Sequence, residues 1–60
     1  MKNLTINQLL DKIYNKHNSV EIKTNCELFE VHKKLKLAKV KEDGNTFVEN
    51  SEEIIKKFGL

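Results

Sequence analysis

Between Thr5 and His17 the apolar positions Ile6, Leu9, Leu10, Ile13 and Tyr14 recur at i, i+3, i+4, the period of one helix face. Thr5 followed three residues later by Gln8 is a capping-box signature, so the spacing predicts a helix over 5–17. Asn15, Asn18 and Ser19 end it. Val20 and Ile22 alternate with polar neighbours, which suits a short strand or an extended connector over 19–23. Leu28, Val31 and Leu35 return to the helical period, with Thr24 and Glu27 as a second capping box, and predict a helix over 25–35. At Leu35-Lys36-Leu37 the pattern turns to alternation, and the change of period is placed near Lys34–Lys36. Asp43-Gly44 is a strong two-residue hairpin signal. With that pair at the turn, 37–49 reads as a β-hairpin in which Val40 faces Phe47 on the inner side and lysines line the outer side. Asn50 and Glu53 then cap a last helix over 51–58, with Ile54, Ile55 and Phe58 as its apolar face and Gly59 as its stop. The expected fold class is α+β: helix, short strand, helix, β-hairpin, helix, in a single small winged-helix-like domain spanning 1–60.

Composition narrows this. In 60 residues, 38% are apolar and 33% charged, enough aliphatic surface to collapse but only into a marginal core. Apolar runs stop at two or three residues, too short to span a bilayer, and the N-terminus lacks the apolar stretch of a secretory signal. The one cysteine, Cys26, has no partner for an internal disulfide. The expectation is a cytoplasmic protein without membrane contact. The net charge of +2 hides an asymmetry. Residues 23–41 carry six lysines against two glutamates, net +4, while 42–60 carry five acids against two lysines, net −3.

The run Thr24-Asn25-Cys26-Glu27-Leu28-Phe29-Glu30-Val31-His32-Lys33-Lys34-Leu35-Lys36-Leu37, then Ala38 to Phe47 around Gly44, then Ser51-Glu52-Glu53-Ile54-Ile55, resembles the compact winged helix-turn-helix of excisionase-like and MerR-type DNA-binding proteins. That resemblance covers about half the chain at the level of pattern. It implies a small DNA-binding regulatory or excisionase-type protein of a phage or mobile element. Eleven lysines, seven asparagines and no arginine look like the coding bias of an AT-rich genome, in keeping with such a source. On this reading Lys33, Lys34, Lys36, Lys39 and Lys41 hold phosphates, and Asn25, His32 and Thr46 are the polar groups able to reach bases of duplex DNA.

Other chemistry is thin. Cys26, His17 and His32 are too few and too widely spaced for a structural zinc site, and Cys26 reads as a small buried thiol at a helix start. Glu27 and Glu30 share a helix face, where paired acids usually only solvate it. No enzyme activity, cofactor or metal is expected. Glu27 and Glu30, together with the low net charge, favour a second reading: a phage or mobile-element protein-interaction module that inhibits or modulates a host protein. Leu9, Ile13 and Tyr14 on the first helix are the candidate partner face, which also suits a homodimer.

Overall fold

The computed structural model describes residues 3–60. Among the described residues four helices follow one another: α1 (Ile6–Lys16), α2 (Ser19–Thr24), α3 (Cys26–Lys41) and α4 (Ser51–Phe58). Helix takes 71% of the described residues and strand or bridge 3%, without a sheet among them, so the class is mainly helical and not α+β. Ile6, Leu9, Leu10 and Ile13 of α1, Ile22 of α2, and Leu28 and Leu35 of α3 form the buried cluster. Ile54, Ile55 and Phe58 of α4 and the terminal Leu60 pack against it. No helix among the described residues is long and apolar enough to cross a membrane.

α1 begins as its sequence signature requires. Thr5 Oγ1 accepts from the Gln8 N–H and Gln8 Oε1 accepts from the Thr5 N–H, which completes the capping box. The segment expected as a strand or connector is the six-residue α2. Its own capping box, Asn18 with Glu21, is satisfied in both directions. That Asn-x-x-Glu spacing is a helix-entry signal that the two-position alternation of Val20 and Ile22 obscures. Asn25, not Thr24, caps α3: its Oδ1 accepts from the Leu28 N–H at 3.1 Å, while Thr24 closes α2 by donating its hydroxyl to the Glu21 carbonyl.

The expected hairpin is absent, and with it the wing. α3 runs without a break through Leu35, Leu37 and Val40 to Lys41. The helical period continues past the expected switch, because Leu28, Val31, Leu35 and Ala38 fall on the side facing the core. Lysine, leucine and alanine are good helix formers, and nothing in 34–41 opposes them. The residues of the supposed inner hairpin face, Val40 and Phe47, are instead 84% and 67% exposed.

Asp43-Gly44 does reverse the chain, but what returns pairs with a different partner. The Asp43 carbonyl accepts from the Thr46 N–H and its Oδ1 from the Asn45 N–H. The strap 44–48 then runs antiparallel to residues 4–7, with a single bridge between Thr5 and Phe47. The Ile6 N–H donates to the Thr46 carbonyl (3.0 Å), the Asn7 N–H to the Gly44 carbonyl (2.9 Å), and the Val48 N–H to the Leu4 carbonyl (2.8 Å). Gly44 is buried against Asn7; a β-carbon there would meet the Asn7 side-chain amide, with its Cγ 2.7 Å away. The chain then enters α4 through Ser51. Asn50 stands at the N-cap position without a side-chain cap bond. Gly59, at φ +66°, closes α4 in the left-handed conformation that glycine adopts without strain, and the Leu60 N–H reaches back to the Ile55 carbonyl at 2.9 Å.

Ser51 is the one fully buried polar residue among those described, and its Oγ accepts from the Leu4 N–H at 2.9 Å. Ser51→Ala leaves that backbone donor without its acceptor. A loss of about 1–3 kcal/mol is expected, read as a lower urea midpoint with an unchanged slope.

Candidate interaction face

α3 presents two different outer surfaces. At about 100° per residue, the positions beside its core stripe on one side are Phe29, His32, Lys33, Lys36, Lys39 and Val40. Those on the far side are Glu27, Glu30, Lys34 and Lys41. The first set carries three lysines and no acid. The second balances two lysines with two glutamates, and Glu27 is further engaged by Lys57 of α4 at 2.7 Å. The sequence-level asymmetry of charge therefore resolves into a basic side of one helix.

Two adjoining depressions lie on this basic side. One, of about 250 Å³, is lined by Tyr14, Ser19, Ile22, Lys23, Phe29 and His32. The next, of about 410 Å³, shares Lys23, Phe29 and His32 and adds Lys33, Lys36 and Leu37. A third continues past Tyr14 and Lys36 to Lys39, Leu10, Asn7 and Asp11. Together they make a furrow whose walls come from α1, α2 and α3. Tyr14 (51% exposed), Phe29 (39%) and Leu37 (54%) offer apolar surface along it. Lys23, Lys33, Lys36 and Lys39 rim it, and Asp11 is the one acid among the described residues that line it.

Tyr14 and His32 join the two walls. The Tyr14 hydroxyl and His32 Nε2 are 2.6 Å apart, and the rings meet edge to face with centroids 5.3 Å apart. Partial burial, and after it the nearby Lys36 ammonium, hold the His32 imidazole below its ordinary pKa. The imidazole is therefore held toward its neutral form, which adds no charge to the lysine rim.

The residues singled out from the sequence divide. His32, Lys33, Lys36 and Lys39 come together with Tyr14 along the furrow. Lys34 and Lys41 sit on the far side of α3. Asn25 is occupied as the α3 cap, and Thr46 lies in the strap, where its carbonyl serves the α1 N-terminus. Leu9 and Ile13 are fully buried, so of the expected partner face only Tyr14 is available. Cys26 is an exposed free thiol, not the buried one expected. His17 sits at the α1 C-cap with its Nδ1 3.4 Å from Glu21 Oε2. Among the described residues no three His, Cys, Asp or Glu side chains converge as metal ligands would. Phe29 and Leu37 were missed. Their signal was the second apolar stripe of α3, Phe29, Leu37 and Val40, visible only once α3 is one helix and not a helix plus a ribbon. Lys23 of α2 was counted in the basic middle third but not placed at a site.

No protein-family model, curated protein or solved structure matches this chain.

An NMR titration of the His32 imidazole is expected to give a pKa below about 6.5, and Lys36→Gln is expected to bring it part of the way back. Because the folded value is depressed, the unfolded chain takes up this proton first as pH falls. The stability contributed by neutral His32 is thus complete above about pH 6.5 and is lost as pH drops through the folded pKa. Chemical unfolding at stepped pH, compared with His32→Gln, isolates that loss.

Proposed function

We propose that this chain is a protein-interaction module, a binding protein and not an enzyme, which modulates a partner protein by docking it in the furrow between α1, α2 and α3. The observation that carries the reading is apolar side chains held exposed inside a rim of lysines. Exposed Tyr14, Phe29 and Leu37, with Val40 beyond them, gain from burial against apolar surface. The four lysines select and steer a partner segment of acidic character. A stable interface takes about 800 Å² from each side, under a fifth of the 4485 Å² this protein exposes.

Duplex DNA is served less well by the same surface. The expectation of DNA binding leaned on a lysine-edged wing, and the arm that was to carry its lysines, 37–41, is the end of α3. Lys33, Lys36 and Lys39 remain able to neutralise phosphates. The aromatic and aliphatic side chains between them find no counterpart in a phosphate backbone. Lys34 and Lys41 point elsewhere, the Asn25 side chain is engaged as the α3 cap, and Thr46 lies in the strap at the α1 N-terminus, away from these lysines.

Leu37→Glu tests the reading, since Leu37 is exposed and its replacement should change stability by no more than about 0.5 kcal/mol. Quantitative affinity capture is expected to show a stoichiometric protein that wild type retains and Leu37→Glu loses by about tenfold or more. A gel shift runs beside it at about 50 mM salt. Salt-dependent DNA binding that Lys33→Glu/Lys36→Glu abolishes and Leu37→Glu leaves intact would replace the protein partner by nucleic acid.

A further inference from the structure

The furrow constrains the form of what docks there as well as its charge. Its walls are three helices, whose backbone N–H and C=O groups, apart from those at the helix ends, are spent on their own hydrogen bonds. The extended pairing among the described residues, 4–6 against 46–48, lies at the α1 N-terminus and contributes nothing to the two depressions around Phe29. An extended peptide laid over Tyr14, Phe29 and Leu37 would find no sheet edge to join. Its own backbone groups would be desolvated against apolar surface without partners. A helix brings its backbone bonds already made.

Length and spacing agree with this. Phe29 and Val40 stand eleven residues apart on α3, about 16 Å at 1.5 Å per residue. A partner helix covering that distance has about three turns. Lys33, Lys36 and Lys39 recur every three residues along one side, and a helix sets carboxylates at i, i+3 and i+4 along its own flank at a matching pitch.

Resting on the docking reading above, we infer that the segment received in the furrow is an amphipathic helix of about three turns, with large apolar side chains at i, i+4 and i+7 and carboxylates on its flanks. Val40 marks the C-terminal end of its track and Phe29 the other. Lys23 and Lys33 meet one end of its charged flank, and Lys36 and Lys39 the other.

The test uses the full chain, labelled with ¹⁵N, and three probes. The first is a synthetic peptide of about 14 residues with leucines at i, i+4 and i+7, glutamates beside them and alanines elsewhere. The second is the same peptide with a central proline, which removes the helix and keeps the composition. The third is a DNA duplex of about 20 base pairs. The helical peptide is expected to shift the amides of α3 from Phe29 to Val40 and of Tyr14 and Lys23. The proline peptide is expected to bind about tenfold or more weakly, and Leu37→Glu to remove both responses. If the two peptides bind alike at these residues, the helical form is wrong and the protein-docking reading stands. If neither peptide shifts these residues, the inference and the docking reading fail together, whether or not the duplex moves the lysines.

Discussion

The fold depends on how the first turn of α1 is closed. A helix starts with backbone N–H groups that have no partner inside it. Here Thr5 Oγ1 takes the Gln8 N–H, the Thr46 carbonyl takes that of Ile6, and the Gly44 carbonyl takes that of Asn7. Two of those three acceptors come from far downstream in the chain. In return the Leu4 carbonyl accepts from Val48, and buried Ser51 accepts from the Leu4 N–H. This lattice of short bonds binds the strap and the start of α4 to the start of α1. Gly44 is part of it, lying so close to Asn7 that a β-carbon there would have to push the Asn7 side-chain amide aside. It lets seven buried apolar side chains among the described residues hold the four helices together without a disulfide.

That closure decides which surfaces stay open. The strap covers the beginning of α1, and α4 lays Ile54, Ile55 and Phe58 on the core, with the Lys57–Glu27 pair reaching the start of α3. An exposed pair of this kind contributes at most about 1 kcal/mol, but it occupies one of the two acids on the far side of α3. Among the described residues nothing comparable covers the other side. The α1–α2 connection is two residues and the α2–α3 connection is Asn25 alone, so the three helices stay splayed around Tyr14 and His32. The furrow is the space their packing leaves. Its lysine rim follows from α3 carrying lysines every three residues there, with no acid among them.

Much of the local structure was legible in the chain. The α1 stripe and its Thr5–Gln8 box, the reversal at Asp43-Gly44, and a last helix ended by Gly59 all depend on neighbours within about four residues, which is the range that periodicity and capping report. The concentration of lysine in the middle third was legible too, and with it the furrow's Lys33, Lys36 and Lys39; His32 and Tyr14 were also named, each for a different role. The hairpin was not. A Leu-Lys-Leu triplet satisfies a period of two over three residues, and Asp-Gly turns a chain whichever partner it returns to. Choosing between residues 37–41 and the 4–7 segment as that partner requires knowing where α1 begins in space.

Sequence alone settled, for this protein, where α1 and α4 start and which of their faces are apolar, because caps and stripes are short-range and their energies are local. It also settled that positive charge gathers between Lys23 and Lys41. The tertiary structure decided whether Leu35 to Lys41 coils or extends, which apolar residues are core and which are bare, and which lysines share a surface. Those outcomes turn on long-range competition for hydrogen-bond partners and for buried area. Leu9 and Ile13 look no different from Tyr14 along the chain, yet burial on all sides took the first two and a one-sided contact with His32 left the third in the open.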